Sequence, residues 1–159
     1  MEQAPLHRNV VRMQETLEGL GVRGRPVQLA ASARTAAQAA AALGVEVGAI
    51  ASSLVFLLDE EPLLVLTSGA HRVEPALVEA ALGGTLHRAD AERVRAVTGQ
   101  AIGGVAPVGH PVPVRTVVDV ALERFDVVWA AAGHPHAVFP TSFPELVRVT
   151  GGTPMVVGH

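Results

Sequence analysis

Thr98-Gly99-Gln100-Ala101-Ile102-Gly103-Gly104-Val105-Ala106-Pro107-Val108-Gly109-His110 is an apolar run broken at fixed intervals by glycine and proline. Its punctuation specifies a shaped backbone loop. Gly103 and Gly104 permit positive φ or close approach of another molecule to the main chain, Pro107 removes a donor and stiffens the exit, and Gly109 allows a second turn. Such a loop can aim amide N–H groups inward and cradle an anion or a developing oxyanion without a charged side chain. A G-x-x-x-P segment alone also fits a plain connection between a helix and a strand; the longer spacing favours the cradle.

The chemistry around the loop is limited by what the chain lacks. All 12 basic residues are arginine, and there is no Lys, Cys or Tyr. Schiff-base and P-loop lysines, cysteine nucleophiles, disulfides and thiolate metal sites are therefore excluded. With 159 residues, 49% of them hydrophobic and 17% charged, the chain suits one ordinary globular domain spanning 1–159, with no disordered character. A formal net charge of −3 gives no global attraction to nucleic acid, so any RNA contact is local and confined to a strand end, and no DNA partner is expected. The uncharged windows 96–114 and 127–144 hold too many glycines, prolines and histidines for membrane helices, and the charged N-terminus is no secretory signal. A cytoplasmic protein without a membrane partner is the expectation.

Leu6, Val10, Met13, Leu17 and Leu20 recur at helical spacing, so residues 1–24 read as an amphipathic helix packed on the domain, stopped at Gly21. A short strand over Val27–Ala30 precedes an alanine-rich helix opened by the capping box Thr35 to Gln38 and ended by Gly44. Ile50–Leu58 and Leu63–Ser68 read as a hairpin with Asp59-Glu60-Glu61-Pro62 at its tip, the first strand central and covered on both faces. Glu74–Leu82 and Asp90–Thr98 read as short helices capped by Glu74 and Asp90. Strands follow over Val112–Val118, Val127–Ala132, Ala137–Phe139 and Met155–Val157. Asp119 caps a short helix between the first two, and a Ser142 to Glu145 capping box opens a last helix ended by Gly151. The expected fold is α+β, with one mixed, curved sheet.

This order of motifs resembles the YbaK/prolyl-tRNA synthetase-associated domain family, editing domains that deacylate mischarged tRNA. Four segments carry the resemblance, which covers residue 25 to the C-terminus: Ile50–Phe56, Leu64–Gly69 with Arg72, Thr98–Gly99 through Pro107–Gly109, and Ala131–His134 leading to Glu145–Thr150. It implies a sheet rolled into a partial barrel flanked by helices, and an active site beside the G-x-x-x-P loop, matched by Gly103 and Pro107. In that family loop amides polarise the ester carbonyl, water is the nucleophile and a terminal ribose hydroxyl assists, with no cofactor or metal. One departure stands out: many members carry a lysine in the strand segment, important for activity, where this chain has Ser52. Serine donates a hydrogen bond but no charge, which removes or relocates about 1.5–3 kcal/mol of charged hydrogen bonding.

The resemblance implies that Gly103, Gly104, Val105 and Ala106 supply backbone donors, and that Ser52 and His134 orient substrate. Pro107, Gly133, Arg72 and His110 are the expected substrate-side neighbours, with Arg72 suited to a terminal phosphate. Each has a structural alternative. Ser52 shares a strand face with Ile50, Leu54 and Phe56, and a backbone-satisfied serine fits it equally well. Ser53 projects to the other face and reads as structural, Trp129 reads as core, and Asp119 and Glu74 as helix caps. A Ser52–His–Asp119 nucleophile system can be written, but no G-x-S-x-G elbow supports it. A metal site from His134 and His136 with His110 or His71 lacks diagnostic spacing.

The expected function is hydrolysis of the ester between a small, wrongly attached amino acid and tRNA, of the prolyl-tRNA type. A synthetase pocket rejects a substrate one methylene smaller by only about 1–3 kcal/mol, so a second sieve has a physical purpose. The expected partners are a mischarged tRNA acceptor end and an aminoacyl-tRNA synthetase. A binding module for tRNA 3′ ends or aminoacyl-adenosine-like ligands, inactive for want of the lysine, is the alternative.

Overall fold

β2 (Ile50–Leu58) and β3 (Glu61–Ser68) pair antiparallel from Ala51↔Ser68 to Leu58↔Glu61 in the computed structural model, which describes residues 7–159. The hairpin tip is shorter than the sequence suggests. Asp59 takes a left-handed φ of 54°, which Asp tolerates, so two residues close the turn and Glu61 and Pro62 join β3. Pro62 lies just before the pairing of β3 with β5 begins at Leu63↔Arg115.

Around this hairpin stand β1 (Val27–Gln28), β4 (Leu86–Arg88), β5 (Arg115–Asp119), β6 (Val128–Ala131), β7 (Ala137–Thr141) and β8 (Thr153–Met155). The order is β1-β7-β6-β2-β3-β5-β8, with β4 also paired to β2. The β2–β6, β3–β5 and β5–β8 pairs are parallel and the others antiparallel. This is one open, mixed sheet with flanking helices, as the α+β reading of the sequence implies. Several details differ, among them these. β5 starts at Arg115 rather than Val112 because Pro111 and Pro113 lack ladder donors; β8 lies two residues earlier than expected; and β4 is additional.

Among the described residues five α-helices flank the sheet: α1 (Arg8–Gly19), α2 (Ala36–Leu43), α3 (Pro75–Leu82), α4 (Ala91–Thr98) and α5 (Phe143–Thr150). Local chemistry explains their ends. Thr35 and Gln38 form a reciprocal capping box, Asp90 accepts the Arg93 amide, and Gly44, Gly99 and Gly151 stop helices in left-handed geometry. Ser142 accepts the Glu145 amide, but Glu145 turns aside to accept the Thr141 hydroxyl. Glu74 occupies the cap of α3 without a capping hydrogen bond from its side chain. For α1, the buried stripe is Val10, Met13 and Leu17; Leu6 lies outside the described residues. No helix among the described residues is long and apolar enough to cross a membrane.

β3 is buried on both faces. Leu64 and Leu66 share a core with α1, the glycine loop and Leu146, while Leu63 and Val65 pack with Val78 of α3 and Val157. Each such leucine contributes about 1.5–3 kcal/mol by leaving water. Ala39 and Ala40 of α2 meet Ile50 in a third cluster.

One interruption of the sheet positions the site. On its edge away from β3, β2 pairs with β6 only at Ile50↔Trp129 and Ala51↔Ala130, and with β4 only from Phe56↔Arg88 to Leu58↔Leu86. Among the described residues no strand lies beside Ser52, Ser53 and Leu54 there.

Candidate active site

A cavity of about 510 Å³ opens at this gap, within the range of small-molecule sites. Ser52, Ser53 and Leu54 form one wall, Ala130 and Ala131 of β6 another, and Gly103 and Val105 of the glycine loop a third. Arg34, before α2, and Arg88 of β4 bring two cations to it, and no carboxylate lines it among the described residues.

The loop is held from within by its own side chains. The Gln100 Oε1 accepts the Ala106 amide at 2.7 Å, and its Nε2 donates to the Val108 carbonyl at 3.5 Å. Thr98 Oγ1 donates to the Val94 and Gln100 carbonyls and accepts the Gln100 amide. His110 Nε2 lies 2.8 Å from the Ala106 carbonyl and clamps the exit. Burial pushes the His110 pKa below its ordinary value, opposed by that hydrogen bond.

Two glycines are needed for different reasons. Gly103 has a φ of 92°, a region costly for L side chains. Gly104 is buried where a Cβ would lie 2.9 Å from the His134 carbonyl carbon and 3.0 Å from the Pro135 nitrogen. The loop therefore rests directly on the β6–β7 turn.

This architecture corrects the expectation that all four loop amides serve as donors to a ligand. Gly104 donates to the Ala101 carbonyl at 3.2 Å and Ala106 to Gln100, so both are engaged inside the loop. Gly103 and Val105 line the cavity, and their amides have no acceptor among the described residues. Of the four loop amides expected as donors, these two are the ones not committed inside the loop.

Several residues named from the sequence fall elsewhere. Pro107 and His110 border a separate hollow between the loop and α1, and Gly133 a third beside Met13 and Gln100. Arg72 is exposed beyond β3, outside the cavity lining. His134 is turned toward other histidines, its ring 4.5 Å from that of His7 and 5.7 Å from that of His136. Its Nδ1 accepts the His136 amide at 3.1 Å, and desolvation, then the two neighbouring histidines, lower its pKa. His134 thus shapes the turn under Gly104 rather than bordering the cavity. The four histidines weighed as ligands do not converge, and no three His, Asp or Glu among the described residues are placed to hold a metal.

Other residues the sequence assigned to structure are at the cavity or stand behind its lining. Trp129, read as core, is half-buried and lines it. Ser53 also lines it, and its Oγ is buried without a hydrogen-bond partner. Asp119 does cap the turn at 120–124, accepting the Ala121 amide, but its Oδ2 also accepts the Ser68 amide at 3.0 Å and lies 3.1 Å from His71 Nδ1. Parallel pairing explains this meeting: Leu66↔Val118 sets the next residues, Thr67 and Asp119, side by side at the C-terminal ends of β3 and β5. Alternation within β2 and β3 would have pointed to Thr67, because Ser52↔Thr67 are register partners. Arg34 gives no periodic signal.

The model of the aminoacyl-tRNA editing domain matches residues 30–149. The chain belongs to the aminoacyl-tRNA editing domain family. A solved structure provisionally assigned as a trans-editing enzyme for prolyl tRNA synthetase superimposes on this editing domain with a TM-score of 0.92 and 40% identity, over 98% of this chain and 99% of that one. Hypothetical protein APE2540 gives a TM-score of 0.87 at 30% identity, over 93% and 99% of the two chains. Among curated proteins, YwhH of Bacillus subtilis (strain 168), itself uncharacterised, is 29% identical over 116 residues, 72% of this chain and 74% of that one. The proline–tRNA ligase of Latilactobacillus sakei subsp. sakei (strain 23K) is 34% identical over 87 residues, 54% of this editing domain but only 15% of the ligase.

Proposed function

We propose that this editing domain hydrolyses the ester joining a small amino acid to the 3′ end of a mischarged tRNA, acting on the type of tRNA that a prolyl-tRNA synthetase charges. The observation that carries the reading is the cavity at the gap in β2, which Ser52 also lines and where the amides of Gly103 and Val105 have no acceptor among the described residues. Two such donors suit the oxygen of an ester carbonyl, whose charge grows as water adds; each fixed donor of this kind is worth about 2.7–4 kcal/mol in other acyl-transfer sites. Small side chains, Ala51, Ala130 and Ala131, leave room for a small amino acid. Arg34 and Arg88 are suited to the terminal phosphates, and their local charge offsets the overall negative balance.

Ser52 supplies a hydroxyl in place of the family lysine, which keeps the binding-module alternative in view. Both are decided by incubating the protein with a panel of mischarged tRNAs, including tRNA for proline carrying alanine or cysteine, against a no-enzyme blank. Turnover on any member supports editing. Saturable binding of tRNA with no turnover across the panel overturns it in favour of the binding module.

A further inference from the structure

Among the described residues the cavity lining carries one imidazole, that of His71, beside the guanidinium groups of Arg34 and Arg88, which keep their protons and cannot act as a base. His71 follows β3, where its backbone amide donates to the Ser68 carbonyl at 3.0 Å, and its side chain retains 21% exposure. Beside it Asp119, only 1% exposed, is immobilised by the Ser68 and Ala121 amides and by the Thr67 hydroxyl at 3.4 Å. The 3.1 Å contact between Asp119 Oδ2 and His71 Nδ1 puts a proton on Nδ1 and leaves the Nε2 lone pair available. Nε2 has no partner among the described residues.

We infer that His71 is the general base and acid of this site, with Asp119 as its positioning residue, and that this pair does the proton handling in a cleft that has no lysine. The inference rests on the editing reading above. Water is the nucleophile: its oxygen bonds to the ester carbonyl carbon while one of its protons passes to His71 Nε2. As the tetrahedral intermediate collapses, the bond from carbon to the ribose oxygen breaks and His71 returns that proton to the ribose oxygen. The products are the free amino acid, ionised with release of one proton to solvent, and tRNA with its hydroxyl restored. The charge on the intermediate falls to the amides of Gly103 and Val105, and the imidazolium faces the Asp119 carboxylate.

The test compares the wild type with His71→Ala, His71→Asn and, as a control, His87→Ala, at the exposed histidine of β4 outside the cavity lining. Asparagine reproduces the Nδ1 half of imidazole, so it keeps the hydrogen bond to Asp119 and the local fold while removing Nε2. Single-turnover deacylation of the best panel substrate is expected to fall by about 100-fold or more in both His71 variants, with KM little changed and His87→Ala unaffected. Added imidazoles are expected to restore part of the His71→Ala rate in order of their basicity, a gradation that a structural role cannot produce. Full activity in His71→Asn, or activity in both variants within about threefold of wild type, overturns the inference and leaves the editing reading intact. A wild type inactive on the whole panel overturns both.

Discussion

The side-chain oxygen of Gln100 accepts the amide of Ala106 at 2.7 Å, closing the glycine loop on itself across six residues. That hydrogen bond takes one amide away from any ligand and fixes the curve that leaves Gly103 and Val105 at the cavity. Gln100→Ala is expected to cost about 1–3 kcal/mol, because a part-buried amide loses its acceptor. Denaturant unfolding measures that loss. Deacylation under conditions where the variant is fully folded should also fall, and a variant as active and as stable as wild type would show that the loop keeps its shape by other means.

Gly103 and Gly104 separate backbone strain from packing. Alanine at 104 meets the main chain of His134 and Pro135, which cannot swing aside, so Gly104→Ala is expected to destabilise by about 1–3 kcal/mol and to lift the loop from the turn. Alanine at 103 meets only the flexible side chain of Arg34, at 3.1 Å, and its cost of about 1–2 kcal/mol comes from the positive φ. Crystal structures of the two variants are expected to show a displaced loop in the first and a shifted Arg34 in the second.

Local chemistry was legible in the sequence, and long-range register was not. The caps at Thr35, Asp90 and Ser142 and the stops at Gly44, Gly99 and Gly151 are satisfied by neighbours within a few residues, so residue type alone places them. β4 has no apolar alternation; Leu86, His87 and Arg88 form a strand because Leu58, Leu57 and Phe56 offer them an edge. The site divides in the same way. The glycine loop announces itself by spacing and Ser52 only through the family resemblance, whereas His71 meets Asp119 across 48 residues through the parallel pairing of β3 and β5. His134 misleads because proximity to the loop is real but made by backbone: its carbonyl carbon, not its ring, supports Gly104.

Arg34 and Arg88 are the cavity's cations, and removing either should weaken tRNA binding without altering the choice of amino acid. Arg88 also lies over Phe56, its guanidinium carbon 5.9 Å from the ring centroid, so Arg88→Gln is preferable to truncation. Each variant is expected to raise KM and to reduce the slope of log affinity against log salt by about 0.7, the value for one phosphate contact on a single strand. Salt titrations of binding to an uncharged tRNA measure the slope directly. An unchanged slope in both would remove the arginines from the phosphate path.

His110 gives the fold a defined sensitivity to acid. Burial lowers its folded-state pKa below the ordinary 6.5, the hydrogen bond to the Ala106 carbonyl offsetting part of that effect. Between the lowered value and 6.5 the unfolded chain binds more protons at this position than the folded one, so stability rises with pH through that interval. The contribution is fully present above about 6.5 and is lost as pH falls toward the folded-state value, below which the difference is constant. His110→Gln cannot take up the proton, yet its amide nitrogen can still donate toward the Ala106 carbonyl. Urea unfolding of the wild type and the variant from pH 8 to pH 5 is expected to show a smaller acid loss in the variant, with the two curves converging in slope above about 6.5. Parallel curves over the whole range would mean that His110 titrates alike in the folded and unfolded chain.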